Sequence, residues 1–216
     1  MTEKDSRTQE TVAKELPKGC PLSRREAIAA AGGVAALFAL GAAGALAKGK
    51  PLVRPPGAAA ESEFLALCIK CDRCRSACPL SGIGVAQLTD GIASMRTPKM
   101  DFHRGWCNFC GKCAEACPTG ALEPFDPETE KKRLGTAELT KKCIALRTGG
   151  CVECYKACGE YAITLNEDNV PVIDPELCTG CGICELVCPA NVFQSYSGES
   201  ERGIVVRPLA KEGGAS

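Results

Sequence analysis

The sequence predicts a small α+β fold made of two similar halves, each a set of short helices and β-hairpins wrapped around cysteine sulfur. Three observations predict it. Cysteine is abundant, seventeen in 216 residues, while Met, Trp and His number three, one and one, so the interior must be built around sulfur chemistry and not around a conventional aromatic core. One cysteine spacing recurs, with variation, four times between Cys68 and Pro189, which marks a repeat architecture. Ahead of the last repeat, Ala162 to Leu165, the turn Asn166 to Asn169 and Val170 to Asp174 read as a β-hairpin.

In chain order, residues 1–20 are polar and charged with no apolar period and read as disordered. Ser23-Arg24-Arg25-Glu26-Ala27-Ile28 then opens a stretch of Ala, Gly, Leu, Val, Ile and Phe that runs from Ala27 to Ala47 and ends in Ala45-Leu46-Ala47. An arginine pair, a weakly apolar run and a small-residue ending read as a twin-arginine export signal; the alternative is a transmembrane anchor. Ala27 stands where that pattern usually has Phe. Export by this route carries proteins already folded, as one with metal groups inserted in the cytosol must be. Cys20 lies ahead of the run, outside every spacing pattern, and receives no role. Gly49 to Ser62 has the Pro and small-residue content of a linker. The formal net charge of zero gives no global sign of a nucleic-acid partner.

The first motif is Cys68-Ile-Lys-Cys71-Asp-Arg-Cys74-Arg-Ser-Ala-Cys78-Pro79, and the second is Cys107-Asn-Phe-Cys110-Gly-Lys-Cys113-Ala-Glu-Ala-Cys117-Pro118. The third is expanded: Cys143, a longer loop carrying Arg147-Thr-Gly-Gly150, then Cys151, Cys154 and Cys158, with Gly159 in place of proline. The fourth is Cys178-Thr-Gly-Cys181-Gly-Ile-Cys184-Glu-Leu-Val-Cys188-Pro189. An apolar residue follows the last cysteine of each at a fixed distance, namely Ile83, Leu122, Ile163 and Phe193, and is expected to start the strand or turn that covers the site.

This spacing has a chemical reason. CxxCxxC lets one tight loop present three thiolates to a single 4Fe-4S cube while its backbone N–H groups bond the sulfurs. The fourth cysteine points away and, in two-cluster ferredoxins, ligates the other cube. Motifs therefore work in pairs, and four motifs imply four 4Fe-4S clusters in two bacterial-ferredoxin-like dicluster modules. The hairpin between the third and fourth motifs favours pairing those two, so that Cys143, Cys151 and Cys154 join Cys188, while Cys178, Cys181 and Cys184 join Cys158. By elimination, Cys68, Cys71 and Cys74 join Cys117, and Cys107, Cys110 and Cys113 join Cys78. A nested arrangement, first motif with fourth and second with third, is the open alternative. Structural zinc prefers separated CxxC pairs around one ion, and cysteines packed this closely cannot all reach disulfide geometry. The expected organisation is a leader over 1–47, a linker over 48–62, a first dicluster module over 63–130, a second over 131–197 and a C-terminal tail over 198–216.

The remaining features carry less. His103 reads as a surface or hydrogen-bonded structural histidine, and Trp106 as packing beside Cys107. The basic runs Lys131 to Arg133 and Lys141-Lys142 read as solvated faces. Ser81 to Thr97, with Ile83, Val85, Leu88, Ile92 and Met95, is expected to form an amphipathic helix over the first pair of motifs. No phosphate-cradling glycine loop and no Ser-His-Asp arrangement is present, which favours an electron carrier over an enzyme.

The arginine-pair leader, the two regular CxxCxxCxxxCP motifs, the expanded third motif preceded by Arg133-Leu-Gly-Thr-Ala-Glu-Leu139, and the closing motif at Cys178 together resemble the NapG/MauM family of ferredoxin-type proteins. The resemblance covers nearly the whole chain. On its NapG side it implies a periplasmic protein held peripherally at the membrane through its partner, a polytopic quinol dehydrogenase of the NapH type, and relaying electrons toward a periplasmic cytochrome or reductase in nitrate respiration. On its MauM side it implies a part in methylamine utilisation. A maturation or assembly factor for a periplasmic redox enzyme and an electron-wiring subunit of a molybdopterin oxidoreductase are the competing functional classes.

Overall fold

The computed structural model describes Lys50–Ala190 and Glu201–Leu209, together with Arg25, Gly32 and Gly33. The chain divides into two units at Ala47/Lys48, and the four cysteine motifs with their helices and strands all belong to the second. Cys20, Phe193 and, apart from Gly32 and Gly33, the apolar run ending at Ala47 fall outside the described residues. No helix among the described residues is long and apolar enough to cross a membrane.

The fold is α+β, made of short helices and two-stranded antiparallel pairs. In the first module, α1 (Glu61–Leu67) leads into the first cysteine loop. Next come α2 (Arg73–Ala77), β1 (Ile83–Val85), β2 (Pro98–Met100) and α3 (Lys112–Glu115). The second module holds β3 (Gly135–Leu139), α4 (Ala145–Thr148), α5 (Glu153–Ala157), β4 (Ile163–Leu165), β5 (Pro171–Ile173), α6 (Ile183–Leu186) and β6 (Ile204–Pro208). β1 pairs with β2 and β4 with β5, Ile83 lying opposite Met100 and Ile163 opposite Ile173. The two modules thus repeat one hairpin. Helices α2, α3 and α6 stop just short of the proline that follows their motif, since a proline cannot continue the hydrogen-bonded turn. Helix α5 stops at the equivalent place before Gly159.

The amphipathic helix expected over 81–97 does not form. Ile83 and Val85 lie two apart and share a strand face, which fits β1, and Pro98 opens the returning strand. Leu88, Ile92 and Met95 have helical spacing, yet they sit on the connection between the strands and are exposed. Buried Ile83 and Ile163 each begin a hairpin strand, and Leu122 makes an isolated antiparallel bridge to Ala58.

Two stretches read as linker and tail contribute structure. In the former, Arg54 is buried and donates to the Glu61 carboxylate at 2.5 and 3.0 Å, to Thr97 Oγ1 at 2.8 Å and to the Pro98 carbonyl at 2.7 Å. Its guanidinium also stacks 4.7 Å from the centre of the fully buried Phe64 ring. In the latter, β6 pairs with β3, Ile204 opposite Leu139 and Pro208 opposite Gly135, and buries Ile204, Val205 and Val206.

Candidate iron–sulfur sites

Each regular motif curls through two left-handed backbone positions. These are Lys70 and Asp72 in the first (φ 58° and 62°), Phe109 and Gly111 in the second (58° and 73°), and Gly180 and Gly182 in the fourth (72° and 83°). Alternating left-handed residues turn successive N–H groups and cysteine Sγ atoms toward one centre. At Lys70, Asp72 and Phe109 a side chain is held in a conformation that costs about 1 kcal/mol or more, a local strain of the kind found at binding sites.

Four cavities result, each bordered by four cysteines. Site A is enclosed by Cys68, Cys71, Cys74 and Cys117 with Phe64 and Leu122; site B by Cys107, Cys110, Cys113 and Cys78 with Met100 and Trp106. Site C is enclosed by Cys143, Cys151, Cys154 and Cys188 with Leu139 and Ile204; site D by Cys178, Cys181, Cys184 and Cys158 with Ile163 and Val206. The chain thus groups neighbouring motifs, first with second and third with fourth. All sixteen described cysteines are unbridged. The atom-free space at each cavity, part of it open to solvent, is about 290 to 360 Å³. Among the described residues no three or more His, Cys, Asp or Glu side chains form a site for a lone metal ion.

The electrostatics fit a group that brings positive charge. Burial, with the neighbouring cysteines adding to it, pushes the Cys74, Cys107 and Cys154 thiols up to about 12 and Cys113 to about 11. Burial also raises Cys181 and Cys184. Thiolates crowded in apolar surroundings are unfavourable alone and are stabilised when they bind a cationic centre. Backbone donors work in the same direction: Phe109 N–H donates to Cys107 Sγ and Ala137 N–H to Cys178 Sγ, both at 3.4 Å. At Cys117 burial pushes the thiol up, but N–H groups of Leu122, Thr119 and Ala121 and the Thr119 hydroxyl outweigh it and hold the thiol below its ordinary range.

The modules meet at sites B and D. Cys107 N–H donates to the Cys181 carbonyl at 2.8 Å, joining the two cysteine loops. Phe102 lies against Gly182, where an added Cβ would come within 1.9 Å of the ring. His103 Nε2 stands 3.4 Å from Glu185 Oε1, and the other oxygen of that buried carboxylate accepts from Val206 N–H at 2.7 Å. His103 is therefore a bridge between modules, and Trp106 lines site B. Arg133 belongs to the framework of site D as well, donating to the Cys178 carbonyl at 3.1 Å and to the Pro175 carbonyl.

Sequence reasoning missed the β3–β6 sheet, whose Ala137 supplies a sulfur donor. The apolar, β-branched run Ile204-Val205-Val206 carried a strand signal. It also missed Arg202, which donates to the Glu185 and Leu186 carbonyls at the end of α6.

The fold and its cysteine-lined cavities define a ferredoxin-type iron–sulfur protein, and comparison with known proteins agrees. The family described as a 4Fe-4S dicluster domain matches residues 67–121, and that described as a 4Fe-4S binding domain matches residues 171–194. The methylamine utilization ferredoxin-type protein MauM of Methylophilus methylotrophus is 39% identical over 66% of this chain and 68% of its own length. The ferredoxin-type protein NapG of Escherichia coli is 34% identical over 76% of this chain and 78% of its own, and MauM of Paracoccus denitrificans 34% identical over 77% and 83%. The chain belongs to the NapG/MauM family of ferredoxin-type proteins. It is an iron–sulfur electron-transfer protein of the 4Fe-4S type.

Proposed function

We propose that this chain is a periplasmic relay holding four 4Fe-4S clusters. It takes electrons from a polytopic membrane quinol dehydrogenase of the NapH type and passes them to a periplasmic cytochrome or reductase such as nitrate reductase. A 4Fe-4S cluster supplies a one-electron couple with little rearrangement around it. Cys68, Cys71, Cys74 and Cys117 would hold the cluster at site A; Cys107, Cys110, Cys113 and Cys78 that at B; Cys143, Cys151, Cys154 and Cys188 that at C; Cys178, Cys181, Cys184 and Cys158 that at D. The surrounding apolar side chains exclude water, and the N–H donors to sulfur set the potentials.

The observation that carries the reading is the hydrogen bond from Cys107 to Cys181. Sites A and B share the first module, D and C share the second, and this bond joins B to D, so the four cavities form one series with A and C at its ends. A maturation factor has no need of a continuous series. Export of the chain ahead of Lys48 by the twin-arginine route completes the proposal and supplies the compartment.

The test is a deletion strain in which no parallel quinol route operates. Quinol-linked nitrate reduction is expected to fail, and normal reduction overturns the relay. Stable co-purification of the full chain with a membrane subunit supports the relay, whereas a transient complex with a cofactor-free enzyme supports the maturation role associated with the MauM resemblance.

A further inference from the structure

The four motifs are versions of one loop, and the first departs from the others at its surface. Of the sixteen described cysteines, Cys71 alone is exposed. Ile69, on the rim of the same cavity, is 64% exposed, where the second and fourth motifs carry the polar residues Asn108 and Thr179. Site A therefore brings one of its own cysteines and an apolar side chain to the surface.

Charge differs in the same place. The first motif carries Lys70, Arg73 and Arg75, all exposed, against the single acid Asp72. The second carries one residue of each sign, Lys112 and Glu115, and the fourth only the buried Glu185. In the third, Lys156 pairs with Glu153 at 3.4 Å, leaving Arg147 of the inserted loop. No described residue forms an ion pair with Lys70, Arg73 or Arg75. Asp72 instead meets exposed Arg96 at 3.8 Å, which adds a further cation to this rim.

The backbone is strained to present these groups. Seven described residues other than glycine have left-handed backbones, and the three charged ones, Lys70 (φ 58°), Asp72 (62°) and Arg96 (65°), all stand beside site A. The fourth motif has Gly180 and Gly182 at the positions of Lys70 and Asp72, so the turn itself does not call for side chains there. Strain borne by charged residues at an exposed site points to what those charges meet. Unpaired cations attract carboxylates, and an apolar centre inside a charged rim is the anatomy of a protein contact. A lipid surface fits less well, because it would set Cys71 against an insulating layer, whereas a protein can bring its own redox centre to this point.

We propose that the loop Cys68–Cys78 is the docking surface for an acidic redox protein, whose carboxylates meet Lys70, Arg73, Arg75 and Arg96 and whose one-electron centre comes to rest against Ile69 and Cys71. One electron crosses there. Either the cluster at site A or the partner's centre is oxidised as the other is reduced, with no bond made or broken. The exchange rests on the reading that site A holds a cluster; the acidic contact does not.

The test compares the full chain, with its clusters, to the triple variant Lys70→Glu, Arg73→Glu, Arg75→Glu at an ionic strength of about 0.01 M, where charge is little screened. A fluorescein-labelled hexaglutamate peptide, followed by anisotropy, is expected to bind the wild type and to lose about tenfold or more in affinity for the variant. The ratio of the oxidation rates by anionic hexacyanoferrate(III) and cationic hexaamminecobalt(III), read by stopped flow, should fall by a similar factor while iron content and visible spectrum are kept. Lys70→Gly, which installs the residue of the fourth motif, keeps the turn and should lower the ratio about twofold to threefold. A rate ratio or a peptide affinity unchanged in the variants overturns the proposal. Binding of phosphatidylglycerol vesicles where the peptide does not bind also overturns it and assigns the surface to lipid. If Cys71→Ala leaves the iron content unchanged, the reading that site A holds a cluster fails and the exchange with it, while the peptide still decides the acidic contact; iron lost in Cys71→Ala together with equal peptide binding overturns the docking alone.

Discussion

The backbone N–H of Cys107 donates to the carbonyl oxygen of Cys181 at 2.8 Å, so a residue of the second motif and one of the fourth are joined directly, 74 positions apart in sequence. Both belong to cysteine loops, so the bond couples the geometry of sites B and D and fixes where the two modules touch. Phe102 and Gly182 pack beside it, and His103 and Glu185 close the same contact.

Gly182 is the sensitive point of this junction. Its φ of 83° disfavours a side chain, and an added Cβ would overlap Phe102. Gly182→Ala is expected to destabilise the protein by about 2 to 4 kcal/mol, combining left-handed strain with overpacking. Gly159→Ala, where nothing lies within 4 Å of the new Cβ, should stay within about 0.5 kcal/mol. Denaturant unfolding followed by loss of cluster absorbance measures both.

The grouping of cysteines makes a prediction about iron. Cys117→Ala should remove or convert the cluster held with Cys68, Cys71 and Cys74, at a loss of up to roughly four irons per chain, and leave the second-motif site intact. In a nested arrangement the same substitution would instead disturb the site of the third motif. Mössbauer spectra of this variant beside Cys188→Ala, which should disturb the third-motif site, separate the two arrangements.

Potential tuning can be read at Thr179. Its hydroxyl oxygen is buried without a hydrogen-bond partner and acts against the effect of burial on the Cys181 thiol, a sulfur to which it can donate. A donor to sulfur favours the reduced, more negative cluster. Thr179→Val should therefore lower one of the midpoint potentials. A hydrogen bond of about 1 kcal/mol corresponds to roughly 40 mV for a one-electron couple, and redox titration by EPR will show whether one potential moves or none.

The loop that exposes Leu88 should open in acid. Burial pushes the Asp90 carboxyl up, but the Lys99 ammonium and the Gln87 N–H outweigh it and hold it below the usual range. A carboxyl depressed on folding contributes stability that is complete above the unfolded value of about 3.9 and is lost as pH falls through the folded one. Asp90→Asn should remove about 1 kcal/mol from the loop at neutral pH. Hydrogen exchange of residues 86–97 is expected to quicken in the variant at pH 7 and to be nearly unaffected by it at low pH, where the wild-type carboxyl is itself protonated.

The sequence by itself determined the chemistry and the local geometry. Four cysteine motifs of nearly one spacing named the sulfur centres. The hairpin from Ala162 to Asp174 was legible because a turn and short strands are set by neighbouring residues. The helix expected over 81–97 was misread because Leu88, Ile92 and Met95 repeat at helical spacing on a connection between two strands, where they stay exposed. What only the tertiary structure decided was long-range. CxxCxxC fixes three ligands but leaves the fourth cysteine free to reach any module within range, so the grouping of Cys117 with Cys68 depends on how α2 and α3 pack. The β3–β6 pair joins residues far apart in sequence, and no local signal assigns a strand its partner. The bond from Cys107 to Cys181 has the same origin: a backbone amide and a carbonyl carry no sequence label, and only the folded chain brings them together.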